Sequence, residues 1–186
     1  MTDAAVGLEG SHPYLIENTI LLGTVGSKAH GLALDGTDDH DLMGIFIEPP
    51  EYLCGLDSVE TIVRRTKPEG VRSEHGDFDI VLHGLRKWAR LAANGNPTVL
   101  MLLFLPPAHM GVCRKRGAVL QSIAGAFASK RAVRAFVGYM KAQKERLVGQ
   151  RGQMRVTRTD LIEKHGYDTK YAMNVLRLAR QGCEFA

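Results

Sequence analysis

Between Gly76 and Pro97 the apolar residues change their period. In "GDFDIVLHGLRKWARLAANGNP", Phe78, Ile80 and Leu82 alternate with Asp77, Asp79 and Val81, as along a short strand. Leu85, Trp88, Ala89 and Ala92 then recur at helical spacing, and Asn94-Gly95 ahead of Pro97 stops that helix. A strand running directly into a helix commits the chain to mixed α and β structure.

The flanking segments fit this scheme. "NTILLGT" reads as a buried strand ending near Gly23, and "DLMGIFIEPP" as a second strand from about Asp41 to Ile47, closed by Pro49 and Pro50. "PTVLMLLFLPP" is a compact buried segment whose periodicity does not separate helix from strand. Ser129 is placed to cap a helix of some eighteen residues ending at Gly149, with Val133, Phe136, Val137 and Met140 as its apolar face. Gly149 to Thr159 is a polar, glycine-containing linker. "YDTKYAMNVLRLARQG" is a last helix, with Tyr171, Val175 and Leu178 on one side. The fold class expected is α+β (mixed α/β): a small sheet flanked by helices, with a helical C-terminal part. The division expected is a catalytic core over residues 1–110 and a basic helical part over 111–186.

Charge follows the same division. Half of the 24 basic residues lie between Arg114 and Arg158, against Glu145 as the only acid there, so this stretch carries about +11 and the remainder about −7. Such an excess reads either as a solvated helix surface or as a face for a polyanion. Aromatic residues able to stack bases are few in it: Phe127, Phe136 and Tyr139. The longest apolar run, Val99 to Leu105, falls far short of the roughly 18 residues of a membrane span. No secretory leader pattern opens the chain. Cys54, Cys113 and Cys183 are odd in number and without CxxC spacing, so they read as reduced cytoplasmic thiols.

The residues richest in chemistry lie between the first two strands, in "GTVGSKAHGLALDGTDDHDLMGIFI". Two phosphate motifs fail here on spacing. A Walker loop, GxxxxGK[ST], started at Gly23 meets Lys28 where its second glycine belongs; started at Gly26 it meets Leu32 where its lysine belongs. No GxGxxG occurs. What remains is Gly26-Ser27 directly after a strand and Asp39-x-Asp41 opening the next. Residues two apart in a strand share a face, so Asp39 and Asp41 can aim both carboxylates at one point. Two hard oxygen ligands suit Mg²⁺ (or Mn²⁺), which keeps further positions for water and phosphate. Gly26 admits close approach of a phosphate, the Ser27 hydroxyl and N–H can donate to it, and Lys28 can add charge. A third carboxylate from a neighbouring strand would complete the site, and Asp77 and Asp79 share one face of theirs. Asp35 and Asp38 read as turn residues.

The ordered combination of strand, Gly-Ser, DxD and a later acidic strand resembles the DNA polymerase β-like nucleotidyltransferase superfamily. Eleven residues separate Ser27 from Asp39, within the spacing of that signature. More closely, "GSKAHGLALDGTDDHDLMGIFI", "LRKWARLAANGNPTVLMLLF" and "YDTKYAMNVLRLARQG" are similar, in order, to segments of the predicted nucleotidyltransferases of the RNA repair pathway DNA polymerase beta family. The resemblance implies that Gly26 and Ser27 bind the β- and γ-phosphates of a nucleoside triphosphate, with Lys28 beside them. It implies that Asp39 and Asp41 hold Mg²⁺ and that Asp79 is the third carboxylate, with Asp77 as the competing choice. Lys170 and Arg177 match basic positions of the last helix that could reach the triphosphate. Lys28 stands for an arginine of that family, Met43 for another, and Asn174 for a histidine. Relatives usually continue beyond the point where this chain stops, so a fragment or shortened version is expected.

The activity implied is Mg²⁺-dependent transfer of a nucleoside monophosphate from an NTP to a hydroxyl of an RNA end, another nucleic acid or a protein, with release of pyrophosphate. The alternative is a non-catalytic nucleotide- or RNA-binding module that retains the fold. An aminoglycoside-type acceptor would call for an acidic pocket instead of a basic C-terminal half.

Overall fold

The computed structural model describes residues 14–29, 31, 40–67, 77–152 and 158–186, the side chain of Ser27 excepted. In chain order the elements are α1 (Tyr14–Asn18), β1 (Thr19–Thr24), α2 (Gly26–Ala29), β2 (His40–Phe46), α3 (Pro50–Cys54), β3 (Thr61–Arg65), β4 (Phe78–Gly84), α4 (Leu85–Ala93) and α5 (Pro97–Leu100). After 3₁₀ turns at Met101–Phe104 and Pro107–His109 come β5 (Met110–Cys113) and α6 (Lys115–Ser122). A further turn, Ala124–Phe127, leads to α7 (Lys130–Leu147), α8 (Thr159–His165) and α9 (Thr169–Glu184).

The strands form one mixed sheet in the order β3-β4-β2-β1-β5. β2 and β4 are parallel; the other pairings are antiparallel. The fold is thus the mixed α+β arrangement that the change of period implies. β3 and β5 carry weaker alternation in sequence and take their places by edge pairing.

Strand alternation divides the core between two sides of the sheet. Leu22, Phe46, Ile80 and Leu82 pack with Leu15 and Ile62. Leu21, Met43 and Ile45 face the other way, against Trp88, Leu100, Leu102, Ala132, Phe136 and Leu178 from the helices. Trp88 is fully buried, and its indole N–H donates to the Val99 carbonyl at 3.2 Å, which ties α4 to α5.

Helix ends are built as the local residues dictate. The Ser129 hydroxyl accepts from the Ala132 N–H at 3.2 Å, so α7 starts where its cap predicts and runs for 18 residues. Its buried stripe differs from the expected one, because Ala132 and Phe136 are buried while Val137 is 40% exposed. Helical rotation carries Val137 away from Phe136, towards the charged side. Gly95 takes φ +74 at the end of α4 and lies against the backbone of Ala132, where a methyl group would not fit. "PTVLMLLF" resolves into a short α-helix continued by a 3₁₀ turn, with the Asn96 side chain accepting from the Thr98 N–H at 3.0 Å.

Two buried carboxylates cap helices, Glu48 from a distant part of the chain and Asp168 from the position just before its helix. Gly84 offers no side chain at the start of α4, and Glu48 replaces it: Oε2 accepts from the Leu85 N–H at 3.0 Å and Oε1 from the Arg86 N–H at 3.2 Å. Glu48 is buried, and the positive end of the helix stabilises its charge. Asp168 caps α9 through the Lys170 N–H at 2.9 Å and pairs with Arg158 at 3.0 Å, itself almost wholly buried. Among the described residues no helix is long and apolar enough to cross a membrane. Cys54, Cys113 and Cys183 are free and exposed.

Candidate active site

β1 and β2 run antiparallel with Thr24 opposite Leu42, and the Val25 N–H extends the ladder to the Asp41 carbonyl at 2.8 Å. The chain turns sharply at once, with Gly26 at φ +73, a conformation that side chains other than glycine disfavour. A methyl group at this position would overlap the Asp41 carboxylate. The glycine therefore lets the α2 backbone close directly onto that acid. Lys28 follows, half-buried, in α2.

On its other side β2 pairs with β4 in parallel register, with His40 opposite Phe78, Asp41 opposite Asp79 and Leu42 opposite Ile80. The His40 N–H continues the pairing to the Asp77 carbonyl at 2.8 Å. Asp41 shares its side of the sheet with Met43 and Ile45, so both carboxylates face the side on which Trp88 and the C-terminal helices pack. Met43 is a core residue 6% exposed. His40 is exposed, and its neighbouring strand position turns it from Asp41 to the opposite face.

Asp79 of β4 and Asp77 just before that strand differ in their surroundings. Asp79 is opposite Arg65 of β3, and its Oδ2 accepts from the Arg65 Nε–H at 2.8 Å. Its Oδ1 is buried and has no hydrogen-bond partner among the described residues. Asp77 has its carboxylate on the other strand's exit: Oδ1 accepts from the Thr66 hydroxyl at 2.8 Å, and Oδ2 is 3.1 Å from Lys67 Nζ. A buried carboxylate oxygen without a donor is costly unless a proton or a cation reaches it. Asp41 and Asp79 are hard oxygen donors on adjacent strands, a set that suits Mg²⁺ or Mn²⁺.

Asp39, the remaining expected ligand, lies outside the described residues, as does the side chain of Ser27. Among the described residues no group of three or more His, Cys, Asp or Glu is arranged to hold a metal ion. Lys170 is exposed in the first turn of α9. Arg177 lies two turns further along, with Nη1 donating to Met101 Sδ at 3.2 Å and Nη2 to Asn174 Oδ1 at 3.3 Å. Burial lowers its pKa from the usual arginine value. The structure therefore brings Gly26, Asp41 and Asp79 together and places Arg177 within the α9 packing.

Arg65 is the residue at this site that sequence reasoning passes over. Its only trace in the sequence is the pair of arginines that ends "TIVRR", which gains meaning once β3 pairs with β4.

No curated protein and no solved structure matches the chain significantly. The RNA repair pathway DNA polymerase beta family matches it over residues 8–185. That match spans nearly the whole sequence, including every residue of the Gly26, Asp41 and Asp79 constellation, and the chain belongs to the RNA repair pathway DNA polymerase beta family.

Proposed function

We propose that the protein transfers a nucleoside monophosphate from an NTP to a hydroxyl acceptor, an RNA end being the favoured one, and releases pyrophosphate. Membership of its family implies a DNA polymerase beta-like nucleotidyltransferase with a role in RNA repair. The observation that carries the finer reading is the register pairing of Asp41 with Asp79 beside the Gly26 turn.

In this reading the triphosphate tail lies on the Gly26-Ser27 backbone, where Lys28 adds positive charge, with Lys170 and Arg177 as further phosphate ligands from α9. Asp39, Asp41 and Asp79 would hold Mg²⁺ or Mn²⁺, which would offset phosphate charge. Asp79 orients the acceptor hydroxyl and takes its proton, while Arg65 donates to Oδ2 and fixes the rotamer. The hydroxyl oxygen forms a bond to the α-phosphorus, the bond from that phosphorus to the α–β bridging oxygen breaks, and pyrophosphate departs with the electron pair.

The test incubates the protein with each α-³²P-labelled NTP, Mg²⁺ or Mn²⁺, and cellular RNA or protein. Label transfer that vanishes in Asp39→Ala and Asp41→Ala supports the enzyme. Tight NTP binding with no transfer under any of these conditions supports a non-catalytic nucleotide-binding module instead.

A further inference from the structure

The twelve cations between Arg114 and Arg158 are not one surface, and the fold sorts them. Arg114 is used internally: Nε donates to the Thr19 carbonyl at 3.0 Å and Nη2 to the Ile16 carbonyl at 2.9 Å. Arg158 is committed to Asp168, and Arg151 lies 3.6 Å from Glu145. Arg155 lies outside the described residues.

What is left concentrates on α7. Lys130, Arg134, Lys141 and Lys144 are all exposed, and none has a carboxylate partner among the described residues. At 3.6 residues per turn they fall within about 80° of one another and extend along about 21 Å of helix. The opposite side of the same helix carries Ala132 and Phe136 into the core, so packing fixes the row outward. Val137, 40% exposed, lies within the row. No aromatic ring does; Tyr139 points elsewhere and bonds to the Asn96 side chain at 3.1 Å.

The geometry points to this row as the docking surface for the phosphate backbone of an RNA strand. The inference rests on the nucleotidyltransferase reading for its choice of RNA. A straight row of unpaired cations on a rigid helix matches a regularly spaced polyanion, and without stacking rings it holds the backbone with little regard to sequence. The RNA end would be presented to the Asp41–Asp79 site while its body lies along α7.

The experiment measures binding of a fluorescein-labelled single-stranded RNA of mixed sequence by anisotropy, without NTP, over a range of salt. Four backbone contacts on a single strand give a log–log salt slope of about −3, or roughly 50-fold weaker binding between about 50 and 200 mM salt. The quadruple variant Lys130→Gln/Arg134→Gln/Lys141→Gln/Lys144→Gln is expected to flatten the slope by about 3. Arg134→Gln/Lys141→Gln alone should flatten it by about 1.4, and Lys115→Gln/Lys164→Gln, which removes the same charge elsewhere, by clearly less. An equal effect of the two double variants, or an unchanged slope in the quadruple one, overturns the surface. So does stripe-dependent binding to phosphatidylserine vesicles with none to RNA. RNA bound through α7 without nucleotide transfer keeps this surface and removes the nucleotidyltransferase reading. Transfer with RNA affinity untouched by the quadruple variant does the reverse.

Discussion

Asp41 and Asp79 are register partners across the parallel strands β2 and β4, although 37 residues separate them in the chain. Partners in parallel register direct their side chains to the same face, so strand pairing alone sets the two carboxylates together. If Asp79 is the acceptor's base, Asp79→Asn lowers transfer by about 100-fold or more, and Asp77→Asn, on Thr66 and Lys67, leaves most of it. Initial rates of label transfer check this, and the reverse ranking assigns the role to Asp77.

Gly26 and Gly31 both adopt positive φ, +73 and +63, but only Gly26 faces the Asp41 carboxylate; no atom of the described residues stands within 4 Å of a methyl group at Gly31. An alanine at either position carries backbone strain of the order of 1 kcal/mol. Gly26→Ala is expected to reduce transfer at least tenfold as well, through displacement of Asp41, while Gly31→Ala leaves the rate near that of the parent. Unfolding followed by the fluorescence of Trp88, the only tryptophan, gives the stability side of the comparison.

Glu48 caps α4 with two hydrogen bonds to backbone N–H groups. Glu48→Ala should lower stability by about 2 kcal/mol, since it strips both acceptors from a buried helix start. Glu48→Gln keeps one carbonyl acceptor and should lose roughly half as much. Urea midpoints at constant slope measure both.

Asp168 is buried between the α9 start and Arg158. Asp168→Ala removes a cap and strands a cation that is itself only 19% exposed, so a loss of about 3 kcal/mol is expected. Arg158→Met leaves the capping bond to Lys170 and should cost less. A double-mutant cycle with coupling below about 0.5 kcal/mol would dismiss the pair as a joint support.

His83 is half-buried in β4, its Nδ1 3.2 Å from the Thr61 hydroxyl. Burial first, and the charge of Lys87 second, lower its pKa from the ordinary 6.5. The unfolded chain therefore binds a proton more readily than the folded one. Above pH 6.5 both states hold a neutral imidazole and nothing is lost. As pH falls from 6.5 towards the lower folded value, stability is lost progressively. Urea unfolding at pH 7.5 and at pH 5.5 should show that loss, and His83→Gln should reduce it.

Much of this was legible in the sequence. The α4 boundaries follow from the period of Leu85, Trp88 and Ala92 and from the Asn94-Gly95 stop, which are local signals. The α7 start follows from Ser129 for the same reason. Glu48 and Arg65 were not legible in these roles. Each acts on backbone or side chains brought to it by folding, and no local spacing records such a contact.

By itself the sequence determined that strands and helices mix, that Gly26 follows a strand, that acids open the next, and that positive charge gathers towards the C-terminus. These are properties of neighbouring residues: period, turn chemistry and composition. Only the tertiary structure decided that Asp79 is the acid of β4 opposite Asp41, that Arg65 holds it, and which cations remain exposed along α7. Register and burial are long-range outcomes, because a strand chooses its partner by the packing of whole faces, and a helix shows solvent only what the core leaves uncovered.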